Sequence, residues 1–255
     1  MEKAPVSVVV ITKNEEQNIA GCLESVKWAD EIIVVDDEST DTTREIVKKY
    51  TDKILVRKME NEGVHRNWAY AQAANDWVLS LDADERVTEP LADEIIGLLK
   101  GVPEFKAYTT PRRNYIGDHW LRYGGEYPAA QTKFFLKNAF RYEEVEVHPR
   151  AFLDGDCGHF KGDLIHYSHR DISDYLSSLN SQTTLEAKKW YNTGRKMSLG
   201  HATWRTFDRC FYRRLLRKKA YKDGIYGLTV AVFSGLYQIV SYLKYREMIQ
   251  KTGRG

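Results

Sequence analysis

The sequence predicts an α/β protein: a doubly wound, mixed sheet followed by a helical extension. Continuous β-branched runs alternate with helix-spaced segments over the first hundred residues. Unbroken apolar runs are the mark of strands buried on both faces, and their alternation with helices implies right-handed crossovers and a largely parallel sheet. From residue 172 onward the pattern is helical throughout.

Taken in order, residues 6–11 (Val-Ser-Val-Val-Val-Ile) form the first strand, and residues 18–26 have apolar spacing suited to a helix. Residues 31–35 form a second buried strand ending at Asp36 and Asp37, after which Ser39, Thr40 or Asp41 can cap a helix running through Tyr50. A short strand at 53–56, a helix at 64–74 and a strand at 77–81 ending at Asp82 complete a β-α-β-α-β-α-β series. After a helix at 89–100 the rhythm changes. Strands are expected at 107–110, 133–136 and 164–167, separated by glycine, proline and charged residues, as a mixed extension of the sheet. The expected division is therefore an α/β domain over residues 1–170 and a helical extension over 171–255.

Length and composition bound the function. The 255 residues carry 38 Lys+Arg against 36 Asp+Glu, so neither disorder nor wholesale coating of nucleic acid is expected. The hydrophobic share of 42% fills a sizeable core without staples. Cys22, Cys157 and Cys210 are odd in number and far apart, which argues against a disulfide framework or zinc knuckle and for a reducing, cytoplasmic setting. Residues 1–5 lack a basic stretch, so no export signal is expected.

Ligands of open parallel sheets bind beyond the carboxyl ends of the strands. Strand one delivers Thr12-Lys13-Asn14-Glu15 there, strand two Asp36-Asp37, and strand four Asp82-Ala83-Asp84-Glu85. So many carboxylates repel one another unless a cation or donor offsets them. Asp82 and Asp84 can present oxygens to a divalent ion, Mg2+ or Mn2+, whose remaining positions go to water and substrate phosphates. An isolated Asp-x-Asp is a weak signal and reads better as a solvated turn; behind a buried strand, and beside Asp36-Asp37, it reads as a site. No Gly-x-Gly-x-x-Gly follows the first strand and no phosphate-cradling Gly-x-x-x-x-Gly-Lys-Ser/Thr occurs, which disfavours a dinucleotide site or P-loop.

These segments, Ser7 to Glu16, Ile33 to Thr43, Asn61-Glu62-Gly63, Arg66-Asn67 and Leu81 to Glu85, together resemble the family-2 inverting glycosyltransferases of the GT-A fold. Within that family they are most similar to the lipopolysaccharide-core glucosyltransferase group, as are Leu164 to Ser168 and Asp171 to Leu179. The resemblance implies a nucleotide-binding half over residues 1–100 and an acceptor half over 101–170. It implies that Thr12, Asn14, Glu15, Asp36, Asp37, Arg66 and Asp82 hold a nucleoside-diphosphate sugar, UDP-linked by preference. Asp36 or Asp37 would accept from the base, Glu15 would lie near the ribose and Arg66 near the diphosphate. Asp84 would be the principal metal ligand, with Asp82 beside it. His166 is either a late metal ligand, a diphosphate contact, or a histidine satisfied within the sheet.

An inverting transfer needs a carboxylate that removes the acceptor proton. In the stretch from Arg141 to Pro149, an extended backbone would put Glu144, Glu146 and His148 on one face, making Glu144 and Glu146 the candidate bases. A charged edge strand protected from aggregation is the alternative reading. Lys133 and Arg150 are candidate phosphate contacts. The acceptor is expected to be a glycan, on a lipopolysaccharide core, a lipid carrier or a surface polysaccharide. An inactive nucleotide-sugar-binding scaffold and a transferase acting on a peptide or protein are the competing readings.

Residues 205–222 interleave Arg and Lys with Phe207, Phe211, Tyr212, Leu215 and Leu216, and the nineteen residues from Ile225 to Leu243 carry no formal charge. Basic residues on both sides of that stretch argue against a spanning helix and for one lying on an anionic inner-membrane surface or packing on a second subunit as a homo-oligomer. A helix covering its own domain is the alternative. Nucleic acid is not an expected partner.

Overall fold

Strand β1 (Ala4–Thr12) occupies the interior of a seven-stranded sheet because its side chains are apolar on both faces: Val8 and Val10 point one way, Val9 the other, and all are fully buried. The computed structural model describes residues 3–144, 150–195 and 197–252. Around β1 the chain forms α1 (Ile19–Glu24), β2 (Ala29–Asp36), α2 (Thr43–Val47), β3 (Ile54–Val56), α3 (Glu62–Ala71) and β4 (Trp77–Asp82). It continues through β5 (Glu85–Val87), α4 (Glu89–Leu99), β6 (Ala107–Thr110), β7 (Arg112–Ile116), β8 (His119–Leu121), β9 (Gln131–Leu136), β10 (Phe140–Tyr142), β11 (Ala151–Leu153), β12 (Cys157–His159) and β13 (Leu164–His169). The large sheet has the order β12-β6-β9-β4-β1-β2-β3. Strands β1, β2, β3 and β4 are parallel, and β9 enters antiparallel between β4 and β6, so the sheet is mixed as expected.

The alternation of β1 divides the core in two. Val6, Val8 and Val10 meet Ile19 and Leu23 of α1 and Leu91 and Ile95 of α4; Val9 meets Ile33, Val35, Tyr70 of α3 and Phe135. Each such side chain contributes roughly 1.5–3 kcal/mol of burial free energy. The same strands carry polar ties at their amino ends. Glu31 accepts from Ser7 Oγ, pairs with Lys53 and accepts from the Ala74 N–H at 2.8 Å, joining β1, β2 and the turn before β4.

The chain divides into two compact units: Met1–Arg112 with Ala130–His166, and Arg113–Ala129 with Tyr167–Gly255. The expected boundary at residue 170 leaves 113–129 with the sheet, whereas here that hairpin segment belongs with the helices. Its hold is visible within the second unit: Tyr123 N–H donates to Asp223 at 2.7 Å, and Glu126 pairs with Arg214. The second unit contains α5 (Ile172–Asn192), α6 (Leu199–Phe207), a π-helical segment (Asp208–Arg217), a 3₁₀ turn (Ala220–Asp223) and α7 (Gly224–Lys251).

Candidate active site

Register sets the site. Thr12 lies opposite Asp36 in the β1–β2 ladder, and Ile11 lies opposite Asp82 in the β1–β4 ladder. Parallel strands release their carboxyl ends on one edge, so Thr12-Lys13, Asp36-Asp37 and Asp82-Ala83-Asp84 emerge side by side.

The loops leaving β1 and β2 are laced together. Asn14 takes a positive φ of 53°, a conformation asparagine tolerates, and its Oδ1 accepts from the Thr40 N–H at 2.8 Å. Its own N–H donates to Ser39 Oγ at 2.9 Å, and the Glu15 N–H donates to Thr43 Oγ1 at 2.8 Å. The Glu15 carboxylate accepts from Asn18 Nδ2 at 2.8 Å. Asn14 is thus a strut between loops, with its side-chain oxygen already engaged.

Asp36 and Asp37 are buried, yet their carboxylates are satisfied differently. Asp37 accepts from Lys13 Nζ and from the Met59 N–H, each at 2.8 Å. Burial alone would raise its carboxyl, and these two donors outweigh burial and hold it below the usual carboxylate range. Asp36 Oδ2 accepts from the Ser39 N–H at 2.9 Å, with Arg44 Nε at 3.8 Å. Its Oδ1, like Thr12 Oγ1, is buried with no hydrogen-bond partner among the described residues. Buried polar atoms are seldom left so, and these two open atoms sit on adjacent strand ends.

Asp82 is the centre of a balanced charge network. Its Oδ1 pairs with Arg66 Nη2 and its Oδ2 with Lys133 Nζ, both at 3.0 Å. Lys133 also reaches Glu85 Oε2 at 2.7 Å, Arg66 Nε reaches Glu62 at 3.1 Å, and Arg112 stands 3.6 Å from Glu85. Glu85 Oε2 accepts the Asp82 N–H at 2.9 Å. Three cations thus face three carboxylates. Burial would favour a neutral Asp82, but Lys133 and Arg66 more than offset it and hold the carboxyl far below its ordinary range. Asp82 and Glu85 likewise hold Lys133 protonated against its own burial.

Asp84 points elsewhere. Strand β13 pairs antiparallel with β5, bringing His166 opposite Glu85, and His166 Nε2 lies 3.3 Å from Asp84 Oδ2. Asp84 Oδ1 is buried without a partner among the described residues. No cluster of three His, Cys, Asp or Glu side chains gathers into a metal cage among the described residues. Asp84 and His166 nevertheless offer one oxygen and one imidazole side by side, a partial shell that fits a divalent ion completed by water and phosphate oxygens. Asp82 stands next to them with both oxygens engaged by cations.

Helix α3 ties this centre to the candidate bases. Asn67 Nδ2 donates to the Tyr142 carbonyl at 2.9 Å while the Tyr142 N–H donates back to Asn67 Oδ1 at 2.8 Å. Gly63 packs against the chain just beyond: a β-carbon there would stand 1.8 Å from the Glu143 carbonyl oxygen. Glu144 is exposed, with its backbone on this contact, one helical turn from Arg66. Glu146 and His148 lie outside the described residues.

From the sequence, Glu85 has no assigned role, Lys133 is a phosphate contact, His65 lacks ligand spacing and is a structural or surface residue, and Arg112 is not singled out. Lys133 is instead spent on Asp82 and Glu85, while Arg150 is exposed with Glu143 at 3.9 Å. A lysine inside the buried run of β9 was the available signal, since a charge there demands a buried acid. His65 is buried, and neither ring nitrogen has a hydrogen-bond partner among the described residues; burial holds its imidazole below the usual value.

The model of the family described as Glycosyl transferase family 2 matches residues 7–225. A lipopolysaccharide core biosynthesis glycosyltransferase, LpsC of Rhizobium meliloti, is 24% identical over 249 residues, covering 95% of this chain and 92% of its own. An uncharacterized glycosyltransferase of Rickettsia typhi, RT0209, is 31% identical over 205 residues, covering 76% of this chain and 70% of its own. Among solved structures, S. aureus TarS 1-349 in complex with UDP aligns over 97% of this chain and 92% of its own at 16% identity, with a TM-score of 0.46.

Proposed function

The chain belongs to glycosyl transferase family 2, and on that premise we propose that it transfers a hexose, with inversion, from a UDP-sugar to a lipopolysaccharide-core, lipid-linked or surface-polysaccharide acceptor. The observation carrying this reading is the open Asp84 oxygen beside His166, on the edge where Thr12, Asp36 and Asp82 also end. Membership makes the chain a transferase with the GT-A fold; the donor, acceptor and metal are the proposal. The name of the Rhizobium relative supports the lipopolysaccharide class of acceptor.

The open Asp36 Oδ1 accepts the imide N–H of the uracil and Thr12 Oγ1 meets a neighbouring polar atom, which removes two unpartnered buried groups at once. The Lys13–Asp37 pair and the Asn14–Thr40 bond keep the two loops in place around the nucleoside. Arg66 lends its charge to the diphosphate from its seat on Asp82. Asp84 and His166 would hold Mg2+ or Mn2+, which would supply electrostatic stabilisation of the charge that develops on the departing diphosphate. Glu144 or Glu146 takes the proton from the acceptor hydroxyl as its oxygen attacks the anomeric carbon on the face opposite the diphosphate. The backbone contact at Gly63 keeps the Glu143–Glu144 segment on the helix that carries Arg66.

The second unit supports a cytoplasmic protein resting on an anionic membrane. Helix α7 lies within Ala220–Lys251, the one stretch among the described residues long and apolar enough to cross a membrane, its most apolar 18 residues having a mean hydropathy of 1.3. Its small residues face inward: Gly227, Ala231, Gly235 and Ser241 are buried, alongside Val230, Gln238 and Tyr245, and a β-carbon at Gly235 would stand 2.7 Å from Cys210 Cβ. Ile225, Leu228, Val232, Leu236 and Leu243 are exposed along one stripe. Small residues inside and large apolar residues outside is the packing logic of helices in lipid. Lys244 Nζ donates to Asn180, Thr183 and Thr184 of α5, which holds α7 against its own unit and leaves only the stripe to meet the bilayer surface.

Calorimetry with UDP tests the nucleotide site. Affinity should rise at least tenfold with Mn2+ over chelator, and Asp84→Asn should abolish that gain and cut turnover about 100- to 1,000-fold. Equal affinity with and without the ion overturns the metal-assisted reading; binding without turnover on any UDP-sugar favours the inactive scaffold.

A further inference from the structure

The second unit carries a half-open pocket of about 180 Å³ that the proposed transfer does not use. Its wall combines Arg209 and Arg214 of the π-helical segment with His169, Ser178, Gln182 and Ser234. The i→i+5 hydrogen bonding of a π-helix stacks residues five apart, so these two arginines share a side that they would not share in an α-helix. Such segments are rare and are frequent at functional sites.

The two guanidiniums are differently committed. Arg214 holds the Glu126 carboxylate and Ser234 Oγ, the latter at 2.9 Å. Arg209 is half-buried and has no carboxylate within ion-pair distance among the described residues. Burial and then the nearby charge of Arg205 press its guanidinium below the ordinary value against the opposing pull of Tyr237, with Arg213 adding a smaller push and Glu186 a still weaker pull. Arg213 itself is paired with Asp208 at 2.7 Å. A desolvated, unpaired cation is unfavourable in a free protein and becomes favourable when an anion arrives. Ser178 Oγ accepts from Gln182 Nε2 at 3.3 Å, which leaves its hydroxyl proton to donate. The volume is ample for one tetrahedral oxyanion.

We propose that this pocket binds a phosphate group, held by the forked donors of Arg209 with the Ser178 hydroxyl beside them. The site is independent of the transfer reaction. Its phosphate comes either from a phosphomonoester lipid headgroup or from solution, since both present the same oxygens.

The test is thermal unfolding of the full chain in sodium phosphate and in sodium chloride at matched ionic strength, for the wild type and Arg209→Gln. In chloride, Arg209→Gln should unfold at or above the wild-type temperature, because it removes a crowded cation. Phosphate should raise the wild-type midpoint by several degrees and leave that of Arg209→Gln unmoved, with Arg209→Lys in between. An equal phosphate shift in wild type and Arg209→Gln, as binding at the nucleotide site would give, overturns the proposal. So does a variant destabilised in chloride, which would make Arg209 a structural residue. UDP affinity should be the same in both proteins. Flotation on phosphatidate vesicles distinguishes the sources: a loss of binding in Arg209→Gln identifies the headgroup, and unchanged flotation with the thermal difference intact identifies soluble phosphate.

Discussion

In the first unit Lys133, Arg66 and Arg112 each sit on Asp82, Glu85 or Glu62, whereas in the second Arg205, Arg209, Arg217 and Lys219 have no acidic partner among the described residues. The contrast extends to apolar groups. Strand β1 buries every valine it has, while α7 buries Gly227, Ala231, Gly235 and Ser241 with only three larger residues, Val230, Gln238 and Tyr245, and exposes Ile225, Leu228, Val232, Leu236 and Leu243. A region whose charges close on one another is built to hold one geometry, because removing any member strands its partner in a low dielectric. A region that leaves cations and large apolar side chains open is built to meet something outside itself. The first unit presents open oxygens of Thr12, Asp36 and Asp84 at a single edge, with further buried atoms lacking a hydrogen-bond partner among the described residues on His65, Glu85, Thr110 and Arg112, while the second leaves cations and large apolar side chains open on its helices.

Lys133→Met is the sharpest way to break this comparison. It leaves Glu85 fully buried without its closest cation and removes one of two from Asp82, and should cost about 3 kcal/mol, at the low end for a broken buried pair because Arg66 and Arg112 remain. Urea unfolding measures it. In the second unit the matching loss, Arg209→Gln, should stay within about 0.5 kcal/mol of wild type in chloride. Equal costs in the two units would end the distinction.

Much of the first unit was legible because its signals are local. The runs at residues 6–11, 31–35 and 77–81 each became a strand within two residues of the expected ends, and the carboxyl-edge rule grouped Thr12, Asp36 and Asp82 before any register was known. The partners of Asp82 were not legible. Lys133 and His166 are brought in by β9 and β13, whose pairings depend on strands far away in sequence. Strand β5, Glu85–Val87, has no counterpart among the expected elements because three residues give no periodicity. In the second unit, helix could be read from residue 172 onward, but the change to i→i+5 hydrogen bonding over Asp208–Arg217 leaves no trace in spacing alone. Nor does apolar content distinguish a helix facing its own core from one facing outward; only the burial of Gly227, Ala231 and Gly235 decides that.

Gly63→Ala probes how closely the geometry of the first unit is held. The added β-carbon would meet the Glu143 carbonyl at 1.8 Å and the Glu144 Cα at 3.1 Å, both backbone atoms that no rotamer can move aside. Overpacking of this kind costs about 1–3 kcal/mol. Because the strain falls on the segment leading to the candidate bases, turnover on the acceptor should drop more than UDP affinity does. Loss of both in proportion would show that α3, and not the base segment, gives way.

The smallest effect belongs to the open surface. Trp204, Phe207 and Phe211 are exposed, and Phe207 and Phe211 stack on each other with ring centroids 5.4 Å apart, an arrangement that gains nothing from a buried core because neither ring is in one. On an anionic bilayer these rings would enter the headgroup boundary while Arg205 and Arg217 stay at the phosphates. Replacing Phe207 or Phe211 by Ser should weaken binding to anionic vesicles by about 1 kcal/mol each, roughly fivefold, with no loss of thermal stability, since partial immersion recovers only part of the transfer free energy of a phenyl ring. Sedimentation with phosphatidylglycerol vesicles at low salt measures this, and high salt should release the wild type as a peripheral protein. If both variants sediment like the wild type while unfolding at a lower temperature, the ladder belongs to the protein's own packing, and the second unit resembles the first more closely than its exposed surface suggests.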